Sequence, residues 1–143
     1  MSGLSSPEER LSNGQRAQAI SQGVVRLLRE YTGRGPTQAH TTLTGDLVVV
    51  VLRDTLLKAE RSLVEDGHAE SVITMRRRYQ DTMREEMVAL VTGHTGREVE
   101  AFLSDNSVDP DVAVEVFVLA PVSGVADVRS RIGLAEPPDG ESG

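Results

Sequence analysis

Thr44-Gly45-Asp46-Leu47-Val48-Val49-Val50-Val51-Leu52 decides the fold. A short turn with a glycine free to take positive φ opens onto six β-branched or aliphatic residues in a row. Such a run reads as a strand that is apolar on both faces and therefore central in its sheet. Just before it, Thr37 to Leu43 alternates, with Ala39, Thr41 and Leu43 on one side and Gln38, His40 and Thr42 on the other. Two strands across so short a turn form an antiparallel hairpin.

Helical patterns flank the hairpin. Upstream, Ala17, Ile20, Val24, Leu27, Leu28 and Tyr31 make one stripe, ending at Gly33. Two starts are open for this helix: Ser6-Pro7-Glu8-Glu9, with its cap, proline and acidic first turn, or Ser12 with Gln15. Downstream, Asp54 or Thr55 caps a short helix carrying Leu56, Leu57, Leu63 and Val64, which Asp66-Gly67-His68 ends or kinks. From Ala69 to Val91 the residues Val72, Met75, Tyr79, Met83, Met87 and Leu90 recur every three or four positions. That stripe serves either the core or a partner helix, since methionine adapts to irregular contacts. Gly93 and Gly96 punctuate its end.

A third strand holds Val99, Ala101 and Leu103 on one face. An acidic loop is expected over Ser104 to Asp111, then a fourth strand from Val112 to Leu119 with valines at 112, 114, 116 and 118 on one side. The order α-β-β-α-α-β-β defines a two-layer α+β fold, a four-stranded antiparallel sheet packed by helices. Residues 1–12 read as a flexible N-terminal segment, 13–120 as a single domain, and 121–143 as a largely disordered tail rich in proline, glycine and acid. The second sheet face is the expected surface of a homodimer, because the Leu47–Leu52 run leaves little polar surface there.

Composition narrows the function. The chain has 143 residues, enough for one core, and no cysteine, which removes disulfides, thiolate nucleophiles and Cys-ligated metals. The N-terminus lacks a basic start and an apolar stretch, so no secretory signal is expected, and the longest apolar run is far below membrane-spanning length. A cytoplasmic protein without direct membrane insertion is expected. The net charge of −7 repels phosphate backbones, so no nucleic-acid partner is expected.

Candidate chemistry is sparse. Gly33-Arg34-Gly35-Pro36 is a turn that could present a guanidinium fork to a carboxylate or phosphate; equally, its glycines close a helix and Arg34 is solvated. It lacks the spacing and the lysine of a phosphate-binding loop. Arg76-Arg77-Arg78 and Arg84, with Asp81, Glu85 and Glu86 close by, read as a solvated, self-paired helix surface. Glu60 lies near Lys58 and Arg61, where a surface ion pair is expected. His40, His68 and His94 are dispersed, and Asp105, Asn106, Asp109 and Asp111 do not match a calcium loop. No metal, cofactor or catalytic residue is expected.

Glu30-Tyr31-Thr32-Gly33-Arg34-Gly35-Pro36 resembles the MpsC-like family, also met as YbcI-like proteins. The resemblance continues through the strand pair, Ala59-Glu60-Arg61, Arg76, the Gly93–Gly96 break, Asp105 and Val116-Phe117-Val118-Leu119, covering about residues 13 to 120. One departure is Leu57-Lys58, where the family often carries Thr-Pro before Ala-Glu. The resemblance implies an accessory or regulatory, non-catalytic component of a cation-translocating, membrane-potential-generating system, with a protein partner belonging to membrane transport. No catalytic residue of the family is established, so none carries over. Gly33, Arg34, Gly35, Pro36, Glu60 and Arg76 become candidates for a shared structural or interaction surface. The alternative is a small-anion or nucleotide sensor using Arg34.

Overall fold

In the computed structural model, which describes residues 7–122, the chain runs α1 (Pro7–Thr32), β1 (Gln38–Thr44), β2 (Leu47–Arg53), α2 (Lys58–Glu65), α3 (Ala69–Thr95), β3 (Val99–Val108) and β4 (Asp111–Leu119). This is the expected order. The sheet is antiparallel throughout, in the order β1-β2-β4-β3, so the valine run of β2 is central. α1 starts at Pro7, inside the stretch 1–12 read as flexible, and the greater part of the 121–143 tail lies outside the described residues.

The two-residue side-chain period sorts each strand. Val48, Val50 and Leu52 of β2 and Ala113, Phe117 and Leu119 of β4 are buried beneath Ile20, Val24 and Leu28 of α1 and Met83, Met87 and Val91 of α3. With few aromatics available, Phe102 and Phe117 pack ring to ring at 4.8 Å, and aliphatic side chains fill the rest. The two long helices approach closely at Gly23, where a Cβ would come within 2.5 Å of Leu90 Cδ1.

Several expectations are corrected. No loop occupies Ser104 to Asp111: β3 continues to Val108 and only Asp109-Pro110 turns, through a cis peptide bond. The polar residues there obey the strand alternation, with Ser104 and Asn106 on the helix-facing side opposite Glu115 and Ala113. An irregularity between Val99 and Ala101 packs Val99 against the core and leaves Ala101 exposed, so these two do not share a face. α2 begins at Lys58 rather than at a cap on Asp54 or Thr55. α3 passes through Gly93 and stops at Gly96, whose φ of 69° ends the helix. Its buried stripe is Val72, Arg76, Gln80, Met83, Met87 and Val91, while Met75 is 56% exposed.

Candidate functional site

The Gly33–Pro36 turn follows from α1's end. Gly33 takes φ 85° and donates its N–H to Arg29 O at 2.8 Å, a closure that favours glycine. Gly35 passes so close to α1 that a Cβ would sit 3.0 Å from Val25 Cγ1 and 3.2 Å from Val25 O. Pro36 is buried and sends the chain into β1.

This turn aims Arg34 at the β2–α2 connection. Its Nη1 donates to Asp54 O at 2.9 Å and Leu56 O at 3.1 Å, and its Nη2 to Asp54 Oδ2 at 2.8 Å. Asp54 is a non-glycine residue at φ 61°, a conformation that aspartate tolerates better than most. The Thr37 hydroxyl, then Arg34 and Arg61, hold its carboxyl below the usual carboxylate range. Both partners of the Arg34–Asp54 pair remain 38% exposed at the side chain, so the pair is a partly hydrated latch.

Asp111, at the start of β4, ties the same connection from the sheet side. Its Oδ1 accepts the Thr55 N–H at 3.0 Å and the Thr55 hydroxyl at 2.9 Å, and its Oδ2 accepts the Leu56 N–H at 3.0 Å. Arg61 bridges the two acids, 3.1 Å from Asp54 and 3.6 Å from Asp111.

Arg76 lies behind this layer. It is 3% exposed, and all three guanidinium nitrogens donate: Nη1 to Glu60 Oε1 at 2.9 Å, Nη2 to Thr55 Oγ1 at 2.8 Å and Nε to Asn106 Oδ1 at 3.0 Å. Glu60 is 5% exposed; its Oε1 also accepts the Leu57 N–H at 2.8 Å, which caps α2, and its Oε2 accepts the Tyr79 hydroxyl at 3.0 Å. Burial raises the Tyr79 pKa, with Arg76 opposing and Glu60 adding, so this hydroxyl stays a donor. Asn106 and Gln80 exchange amide hydrogen bonds at 3.0 and 3.1 Å.

Two expectations fall here. Arg76 is not part of a solvated basic surface, and Glu60 forms no surface pair with Lys58 or Arg61; the two meet each other in the interior. A carboxylate taken from water needs a charge partner and hydrogen bonds together, and Arg76 supplies both. Arg84, by contrast, lies over the Phe102 ring at 5.0 Å from guanidinium carbon to centroid. The candidates Arg34, Glu60 and Arg76 thus belong to one chain of contacts through Asp54, Arg61, Asp111 and Thr55, while Gly33, Gly35 and Pro36 only shape the turn. The sequence reading gave other roles to Asp54 and Thr55 (helix caps), Tyr79 (apolar stripe) and Asn106 and Asp111 (polar loop), and did not single out Gln80; none was expected in this network. The signal for Asn106 was its place in phase with Phe102 and Ser104.

One group lies beside this network without joining it. Glu115 is 1% exposed on the helix-facing side of β4, its Oε1 has no partner, and the Ser104 hydroxyl opposite is likewise unpartnered. Burial pushes its pKa up to about 7, against the pull of Ser104 and the Arg76 charge.

The geometry defines a class: an α+β domain with one helix-covered sheet face, an internally satisfied polar network binding α1, the β2–α2 connection, α3 and the β3–β4 hairpin, and a largely apolar outer sheet face. Within the described residues no three His, Asp or Glu side chains gather as a metal site, and no helix is long and apolar enough to cross a membrane. Residues 12–121 match the family described as Na+-translocating membrane potential-generating system (MpsC), and the chain belongs to that family. Comparison with curated proteins and with solved structures returned no match.

Proposed function

We propose that the chain is a non-catalytic accessory or regulatory component of a cation-translocating, membrane-potential-generating system, working in the cytoplasm as a homodimer. Family membership over residues 12–121 is the observation that carries this reading. The polar network supports it: the guanidinium groups of Arg34 and Arg76 donate to internal acceptors, which suits a scaffold that holds a surface in shape. On this reading the ion path lies in a partner protein embedded in the membrane, and this chain docks to it.

The test pairs a physical and a functional readout in the native cells. Tagged chain is purified from membranes solubilised in mild detergent, and Na+-dependent membrane potential is followed with a voltage-sensitive dye in cells with and without the gene. Co-purification of a membrane-embedded cation transporter, together with a lowered potential that the wild-type gene restores, is the expected result. An unchanged potential and no transporter in the eluate would overturn the proposal.

A further inference from the structure

The outer face of the sheet forms a four-by-four grid set by the strand register. Reading across β1, β2, β4 and β3, its rows are Thr44-Leu47-Val118-Ala101, Thr42-Val49-Val116-Leu103, His40-Val51-Val114-Asp105 and Gln38-Arg53-Val112-Ser107. An antiparallel sheet with one solvated face normally turns polar residues outward, and β1 obeys that rule. The two central strands break it. Apart from Arg53, every outward position on β2 and β4 is Leu or Val, and Leu103 and Ala101 extend the patch onto β3. Leu47 is 39% and Leu103 56% exposed.

From this grid we infer that the outer face pairs with the same face of a second copy, about a two-fold axis parallel to the strands. This deepens the dimeric part of the reading above by assigning it a surface. Four strands about 4.8 Å apart and seven residues long at about 3.4 Å each span roughly 450 Å² in projection. Two copies bury about 900 Å² before side-chain relief is added, close to the about 1,000 Å² that a specific interface requires.

The orientation follows from the grid. An axis parallel to the strands lays β2 on the partner's β4 and β1 on the partner's β3. Leu47 then meets the partner's Val118, Val49 the partner's Val116 and Val51 the partner's Val114, while His40 meets the partner's Asp105. An axis across the strands would instead set Arg53 against the partner's Leu47 and Asp105 against the partner's Leu103. That arrangement strands two charges on apolar side chains, whereas the favoured axis strands one, Arg53 against the partner's Val112, and is the less costly. Sheets packed face to face keep their strands within about 30° of alignment, as the favoured pairing requires.

The test is the mass of the full chain by light scattering and sedimentation, for the wild type, Val116→Lys and Leu103→Lys. Leu103 is more than half exposed, so its substitution leaves the core untouched; helical circular dichroism verifies folding of both variants. The expected result is a dimer for the wild type and at least tenfold weaker association for each folded variant. A monomeric wild type overturns the inference and the homodimer together. Dimers that persist in the lysine variants overturn only this surface, and the accessory role is then judged on its own experiment.

Discussion

Arg76→Met removes the guanidinium at the centre of the polar network while keeping an unbranched side chain in place. The Glu60 carboxylate is then left in a site only 5% exposed, with the Leu57 N–H and the Tyr79 hydroxyl as its remaining partners. Thr55 Oγ1 and Asn106 Oδ1 each lose a donor as well. Breaking a buried ion pair from one side costs about 3–5 kcal/mol, because the abandoned charge keeps its desolvation penalty. At this chain length that is roughly a 10–15 °C fall in melting temperature. Urea titration followed by circular dichroism, at fixed protein concentration, measures it.

The origin of the loss is tested by adding Glu60→Gln to the Arg76→Met chain. If the stranded charge is the main cost, the second change recovers about 1 kcal/mol or more, a coupling typical of contacting groups. A loss below about 1 kcal/mol for Arg76→Met, with an unchanged urea slope, would show that the guanidinium is hydrated in solution, and the buried-network argument would fail.

Glu115 sets a pH dependence. Its pKa rises from 4.5 to about 7 on burial, so above pH 4.5 the unfolded chain sheds a proton that the folded chain keeps. This contribution is fully present below about pH 4.5 and is lost as pH rises through 7, about 3 kcal/mol in all. Glu115→Gln should flatten the stability profile over that window; an unaltered slope in the variant would assign it to other groups. Gly35→Ala drives a methyl against Val25 Cγ1 and the Val25 carbonyl, and a loss of about 1–3 kcal/mol is expected by denaturant titration. Arg34→Ala should destabilise less than Arg76→Met, because the Arg34–Asp54 pair is partly hydrated. Arg34→Lys should not rescue it, since one ammonium cannot reproduce the fork to two carbonyls and a carboxylate; full recovery with lysine would reduce Arg34 to a point charge.

The fold was legible because its signals are local and periodic. The valine run of β2, the alternation of β4, the glycine at 33 and the Asp66-Gly67-His68 break each name an element from neighbours a few residues away. The network was illegible for the opposite reason. Arg76 sits between Met75 and Arg77 in a sequence that reads as a basic helix surface, and nothing within one turn of helix says which of the three points inward. What turns α3 to bury Arg76 and Gln80, leaving Met75 exposed, is the polar floor beneath them: Glu60 from α2, Thr55 from the β2–α2 connection and Asn106 from β3, the last two 21 and 30 positions from Arg76.

The same floor explains why the Ser104–Asp111 stretch misleads as a loop. Its acids and amides lack the hydrophobic alternation by which strands are recognised, because the helix-facing positions are filled with hydrogen-bonding groups in place of apolar ones. Ser104, Asn106 and Glu115 keep the strand period, but a polar period becomes visible only once a partner with matching donors is placed opposite. Arg76 is that partner for Asn106. For Glu115 no donor is in place on its Oε1, and burial outweighs the pull of Ser104 and the Arg76 charge, which is what raises its pKa. The two acids at this end of the core therefore differ in one respect that decides their behaviour: Glu60 received a guanidinium and Glu115 did not. Arg76→Met makes Glu60 resemble Glu115 by adding a second buried carboxyl without a charge partner.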